Sequence, residues 1–388
     1  MRQVAIIGVG DIRFGELWEH SLRDIGMQAG LSAVEDAKIV GEQIEMLYIG
    51  NMSAGSLVEQ EHLGAMVADY SGLSPLHIPA ARIEAANASG AMALHEGYMA
   101  VASGLHDIVM VAGAEKMTDV TDEEIPIIQM TAADQQWEGL AGATMASLHA
   151  MMARRHMHEY GTTREQIASV VVKNHKNGSL NPMAQYQRPV TMDTVLQSPA
   201  VAEPLGMFDC APISDGAAAV ILAPLEMARK YTEEPVRILS SFAATDTLAL
   251  HHRETITRFD AVIAASRKAY RQANLSPKDI DIAEIHDSYS IAEIMDIEDL
   301  GFFEKGKGGP ATLEGMTDIN GVVSVNTSGG LKARGDPMGA TGVAQAVEVV
   351  RQLRGKADKR QVNDAEYGLS LNVGGTGGTA VVHIFGRA

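Results

Sequence analysis

The order of secondary-structure signals in the N-terminal part of the chain returns after residue 230, and a chain that repeats itself at half-length is confined to few architectures. In the first part, β-rich runs at residues 4–9, 46–50, 81–85 and 108–112 alternate with long Ala-rich stretches, the pattern of βαβ units around a mostly parallel sheet. After residue 230 come a strand at 236–240, an amphipathic helix at 258–273, strands at 282–285 and 322–325, a helix at 342–353, and a glycine-rich strand at 369–373 paired with 380–385. The third strand of each half runs into nearly the same turn, Asn87-Ala-Ser-Gly-Ala in one and Asn326-Thr-Ser-Gly-Gly in the other. Their equivalent place in both halves argues against chance. The run 88–103 is small or apolar nearly all round, so its helix is expected in the middle of the domain.

Residues 116–212 break the repeat. They hold an acidic turn at 122–124, helical runs around 146–160 and 164–177, and a Pro- and polar-rich stretch at 181–204. An insertion of that size is too structured for a linker and suits a cover over a binding site. The expected organisation is therefore one half at 1–115 plus 213–230, an inserted loop or lid domain at 116–212, and a second half at 231–388.

Bulk composition narrows the function. A formal charge of −18 and a pI near 5.1 oppose a polyphosphate partner, so nucleic acid is not expected. An anionic small ligand would have to be met locally, by backbone amides, helix N-termini and a few Lys or Arg. One cysteine, Cys210, excludes an intramolecular disulfide and a Cys-rich zinc site, which points to a reducing cytoplasm. The start of the chain has no basic region followed by a long apolar core, and no run is long enough for a spanning helix. Neither a signal peptide nor membrane insertion is expected, and no metal site is either.

Four segments in order resemble the thiolase superfamily from end to end: Arg82-Ile-Glu-Ala-Ala-Asn-Ala-Ser-Gly, His286-Asp-Ser-Tyr, Ser328-Gly-Gly-Leu-Lys-Ala-Arg-Gly-Asp-Pro-Met-Gly-Ala-Thr-Gly, and Asn372-Val-Gly-Gly-Thr-Gly-Gly. They are most similar to archaeal and sterol-carrier-protein-type thiolases, acetyl-CoA acetyltransferase-like proteins with a His-Asp-Cys-Phe segment. The resemblance implies an α/β fold of two βαβαβαββ halves in five α-β-α-β-α layers, with coenzyme A thioester as substrate and no tightly bound cofactor. It also implies a homodimer or homotetramer. In the family, one cysteine is acylated, a histidine in a Gly-His-Pro turn activates it, and a second cysteine moves the α-proton. Here the matching residues are Asn87, Asp336 in Gly335-Asp-Pro, and Ser288 or Asn372. An amide nitrogen whose lone pair is delocalised is a poor nucleophile, so an acyl-enzyme at residue 87 is not expected.

The same resemblance makes His286 a donor in an oxyanion hole, a role that needs no thiol. It places the amides of Asn87 and around Gly374 and Gly375 at a second hole. Tyr289 stands where the family usually has Phe and is either a catalytic hydroxyl or a polar tip at the pocket edge. Asp336 is either a proton carrier or a turn residue between glycines. Asn326 and Ser328 in the repeated turn are candidate ligand contacts. Lys173 and Asn177, in a tract similar to a lid segment of archaeal relatives, either meet the phosphates or pantetheine of coenzyme A or cap a solvated helix. Gly374-Gly-Thr-Gly-Gly lacks a following Lys-Ser/Thr and reads as a tight turn rather than a nucleotide loop. Cys210 reads as a small buried apolar residue.

Two functions fit. One is an enzyme that makes or breaks a C–C bond beside a CoA thioester without a covalent intermediate, as do cysteine-less relatives that are retro-aldolases working with a small OB-fold or zinc-ribbon acyl-CoA-associated partner. The other is a non-catalytic thiolase-like subunit that binds acyl-CoA or scaffolds a partner enzyme.

Overall fold

The structure is a computed structural model and describes residues 2–388. Its main sheet has ten strands, named with two short ones in chain order: β1 Val4–Asp11, β2 Met46–Gly50, β3 Ala80–Ile83, β4 Val109–Glu115, the small hairpin β5 Ala200–Ala202 and β6 Leu205–Gly206, then β7 Gly216–Pro224, β8 Val236–Thr245, β9 Ile282–Glu284, β10 Ser324–Val325, β11 Tyr367–Gly374 and β12 Thr379–Arg387. The order across the sheet is β10-β9-β11-β12-β8-β1-β7-β4-β2-β3. Read from either edge inward, the sequence ranks match, so the order is the duplication written in space. In each half, three strands pair in parallel and two pair antiparallel. Parallel neighbours need crossover connections, which the helices supply. The halves join where Val4, Ala5 and Ile6 of β1 pair antiparallel with Ile238, Arg237 and Val236 of β8.

The longer helices are α1 Leu22–Ala37, α2 Leu63–Tyr70, α3 Ser89–Ser103, α4 Met145–Tyr160, α5 Arg164–Gly178, α6 Asp260–Ala273, α7 Ser290–Asp299 and α8 Met338–Leu353. Strand side chains alternate between faces, and the packing follows that rule. Ala5 and Ile7 of β1 meet α1 on one outer face, whereas Val4 and Ile6 turn inward with Leu94 of α3 and Val343 and Val347 of α8. On the other outer face, Leu369, Leu371 and Val373 of β11 pack with Val262 of α6 and Ile294 of α7. The layers run α-β-α-β-α, as the resemblance implies.

The central helices α3 and α8 cross nearly backbone to backbone. A Cβ at Gly90 would lie 2.5 Å from the Gly339 carbonyl oxygen, and one at Gly342 would lie 2.3 Å from the Ala91 nitrogen. Glycine is required there by proximity rather than by flexibility. As a result, the N-termini of α3 and α8 open side by side.

Several boundaries move. The strand expected at 322–325 shrinks to Ser324–Val325, with Val322 exposed. The last helix starts at Met338 rather than 342, because Pro337 precedes the first turn, where its missing N–H costs nothing, and the two glycines are packing contacts, not breakers. Helix α7 has no counterpart in the sequence reading, since its acidic residues are buried along with its apolar ones and no polar face marks its period. Helices α4 and α5 begin where expected, each at a capping box, Thr144 with Ser147 and Thr163 with Gln166.

Candidate active site

After β3 the chain reverses through Ala86, which has φ 53°, a left-handed conformation costing an alanine roughly 1–2 kcal/mol. Local bonds hold it there: the Ala85 N–H donates to Ser89 Oγ at 2.9 Å, and that hydroxyl donates to the Ala86 carbonyl at 2.6 Å. The β11–β12 hairpin presses on the same turn, since a Cβ at Gly374 would lie 2.5 Å from the Ala85 oxygen. The outcome is that Asn87 stands two residues ahead of α3 and faces a small cavity. The matching turn in the second half differs by one residue, with Asn326 itself at φ 53°.

That cavity, about 30 Å³, brings together Asn87, Ser288, Tyr289, Asp336 and Gly375, together with His149. It has room for about two waters. Its Ala211–Pro212 wall is shared with a larger chamber of about 480 Å³ lined by His175, Arg188, Phe208, Cys210 and Lys332.

Asp336 sits just before α8. Its N–H donates to Ser214 Oγ at 3.1 Å, and Thr341 Oγ1 donates to its Oδ1 at 2.8 Å. Burial outweighs that hydrogen bond and Lys332 nearby, pushing its carboxyl up to about 6. His286 ends the strand segment behind Ser288. Asn372 Nδ2 donates to its Nδ1 at 2.9 Å, so the proton resides on Nε2, which is buried with no protein partner among the described residues. Burial, the neighbouring His149 and Lys332 bring His286 down to about 3, so it is a neutral imidazole carrying an N–H donor. The backbone around it is fixed by Lys332 Nζ, which donates to the Ser288 carbonyl at 2.8 Å. Tyr289 stacks on His149 with centroids 4.1 Å apart at 24°, and burial raises its phenol above the usual range.

Other candidate residues lie elsewhere. Lys173 Nζ donates to the Val325 carbonyl at 2.9 Å and pairs with Glu293 at 2.8 Å. Asn177 Nδ2 donates to the Asn326 carbonyl at 3.0 Å. The Asn326 side chain accepts from the Ile285 N–H at 2.8 Å and donates to Glu293 at 2.8 Å, and Ser328 Oγ donates to Glu284 at 2.6 Å. All four are buried and fasten α5 and the turn after β10 to the sheet. Unlike Gly375, Gly374 packs on the Asn87 turn. Cys210 follows a short 3-10 segment in extended backbone that bridges antiparallel to Tyr289, half-buried, with burial raising its thiol.

His149 is the site residue that sequence reasoning missed. The signal was available: Met145, Leu148, Met152 and Ala153 form the buried stripe of α4, and a histidine at the same spacing falls on it.

Among the described residues no helix is long and apolar enough to cross a membrane, and no cluster of three or more His, Cys, Asp or Glu is placed to hold a metal.

The chain matches the family described as Thiolase, N-terminal domain, over residues 4–226, and Thiolase C-terminal domain-like over 243–387. It is 58% identical over 387 residues to an acetyl-CoA acetyltransferase of Methanothermobacter thermautotrophicus, covering 100% of both chains. It is 33% identical over 400 residues to sterol carrier protein 2 of Homo sapiens, covering 99% of this chain and 72% of that one. Among solved structures, an Ltp2-ChsH2(DUF35) aldolase superposes with a TM-score of 0.86 at 27% identity, over 98% of this chain and 97% of that one. Human mitochondrial 3-ketoacyl-CoA thiolase in complex with CoA superposes at 0.76 and 19% identity, over 100% and 98%.

Proposed function

This chain belongs to the thiolase family, and from that premise we propose that it binds an acyl-CoA and makes or breaks a C–C bond beside the thioester without an acyl-enzyme, in a retro-aldol type of reaction. The observation that carries the reading is the content of the small cavity: an amide at residue 87 and a carboxyl at 336, at the mouths of the two central helices, with no thiol in its wall. Asn87 replaces the family nucleophile and cannot form a thioester. Cys210 opens on the neighbouring chamber instead, and its raised pKa makes it a poor thiolate.

Cleavage of a β-hydroxyacyl-CoA needs three things. The β-hydroxyl loses its proton as the Cα–Cβ bond breaks and an aldehyde or ketone leaves. The electron pair passes onto the thioester as an enolate, which needs a donor at its oxygen, and the α-carbon then takes a proton. His286 Nε2–H, unpartnered and held by Asn372, supplies the donor. Asp336, poised near neutrality, supplies the α-carbon proton. The likeness to the Ltp2-ChsH2(DUF35) aldolase supports this chemistry and an accessory partner protein, which we propose to be of the OB-fold or zinc-ribbon kind. The family supports a homo-oligomer, and the single cysteine supports a reducing compartment such as the cytoplasm.

The test is to incubate the protein with acetoacetyl-CoA plus CoA and, separately, with β-hydroxyacyl-CoA esters, following free CoA and carbonyl release. Carbonyl release that His286→Ala abolishes is the expected result. Thiolysis at ordinary thiolase rates refutes the assignment of Asn87, and tight CoA binding without turnover by the protein and its partner supports the scaffold reading instead.

A further inference from the structure

We infer that His149 is the base that takes the β-hydroxyl proton, an assignment that rests on the retro-aldol reading above and leaves Asp336 to serve the α-carbon. The argument begins with the ring's two nitrogens. Nδ1 lies 2.9 Å from the Met145 carbonyl; a carbonyl only accepts, so Nδ1 carries the proton and Nε2 keeps a free lone pair. Among the described residues Nε2 has no protein hydrogen bond, although the residue is only 2% exposed and lines the cavity beside Asn87 and Asp336. Burial then holds the imidazole neutral at ordinary pH, down to about 4.

His286 presents the opposite arrangement. Its Nδ1 accepts from Asn372, and its Nε2 is the donor. The two imidazoles are close enough for the His149 charge to count among the causes that depress His286, so the pocket disfavours both being cations. One neutral ring thus offers a proton to an enolate oxygen while the other offers a lone pair to a hydroxyl. This is the division of labour an aldol cleavage needs from two chemically identical side chains. The balance closes: the hydroxyl proton passes to His149 Nε2, the C–C pair passes to the enolate held by His286, Asp336 delivers a proton to the α-carbon, and the two groups re-equilibrate through solvent.

Two contacts fix the ring. The Tyr289 stack sets its plane, and the Met145 carbonyl sets its rotation about χ2. His149 also arrives from α4, in the segment between β4 and β7, so the base is delivered by a different part of the chain from the donor.

The experiment separates enolisation from cleavage. Exchange of the acetyl-CoA α-hydrogens in D2O, read by mass spectrometry, needs His286 and Asp336 but not His149; aldehyde or ketone release from a β-hydroxyacyl-CoA needs all three. His149→Phe, which keeps the stack, and His149→Gln are expected to lower release about 10²- to 10⁴-fold and to lower exchange by a much smaller factor. Equal loss of both activities, or unchanged release, overturns the assignment. Wild-type exchange without release from any ester counts against the retro-aldol reading itself. Selective ¹⁵N-histidine spectra of the full-length protein give a readout independent of turnover. His149 is expected as the Nδ1–H tautomer, with its Nε2 resonance moving when 3-hydroxybutyryl-CoA is added. An Nε2–H tautomer, or no movement at saturating ester, overturns the proposal whatever the rates are.

Discussion

Replacing Asp336 by Asn is expected to stabilise the protein at alkaline pH while impairing it as an enzyme. Burial raises the carboxyl from 3.8 to about 6, so above pH 6 the folded chain holds a carboxylate that the unfolded chain solvates better. A gap of about two pH units corresponds to roughly 3 kcal/mol against the native state. The native state binds this proton more tightly than the unfolded chain does, so the group's stabilising contribution is complete below about pH 4 and is lost as pH rises through about 6. An Asn amide imitates the protonated acid and can still accept from Thr341. With an unfolding entropy of roughly 2 cal/mol/K per residue, 388 residues give about 0.8 kcal/mol/K. The melting temperature of D336N should therefore exceed that of wild type by up to about 4 °C at pH 8 and match it near pH 4. Other buried carboxyls with raised values, such as Glu284 and Asp299, are common to both proteins and cancel in the difference. Differential scanning calorimetry at the two pH values reads this directly. A lower melting temperature at pH 8, or an equal gain at both pH values, would refute the account of Asp336 as a carboxyl strained by burial.

Three further outcomes are expected. Asn372→Ala frees the His286 ring, whose tautomer the amide fixes; carbonyl release should fall about 10²-fold with little change in KM, and an effect on KM alone argues against the oxyanion role. Asn87→Cys alone should form little acyl-enzyme with acetyl-CoA by intact-mass spectrometry, because Asp336 stands where an activating histidine is needed, whereas N87C with Asp336→His should form it; stoichiometric acylation of the single variant would sink this. Gly374→Ala drives a Cβ to 2.5 Å from the Ala85 oxygen, so it should cost about 1–3 kcal/mol in denaturant unfolding and lower activity by shifting the Asn87 turn; a neutral effect would show that the hairpin does not brace the turn.

The duplicated fold was legible because its signals are local: strand-forming runs, Ala-rich helices and a repeated turn survive in one dimension. Helix α7 was not, because its carboxylates are buried against Lys and His partners such as Lys305 and His156, and burying charge on every side erases the periodicity. The cavity was half legible. Asn87, Ser288, Tyr289, Asp336 and Gly375, singled out by motif position, line one cavity, whereas His286 is outside its lining, with its Nδ1 against Asn372. Lys173, Asn177, Asn326 and Ser328 carry ligand-binding chemistry yet are spent inside, and no sequence pattern separates a polar group that meets a ligand from one that meets a neighbouring strand. His149 was overlooked for the converse reason: a single histidine on an apolar helix face looks like core until the opposite wall of its cavity is known.

The near-contact of Gly90 and Gly339 puts main chain against main chain at the crossing of the two inner helices, with no side chain there to absorb rotation. Residues 87 and 336 therefore ride on the ends of what is mechanically one clasp, pinned near its tips by main-chain contact. Such a clasp can have its tips refitted, a thiol for an amide or an imidazole for a carboxyl, without the shafts moving. A new reaction can then be tried out at fixed spacing on an old frame.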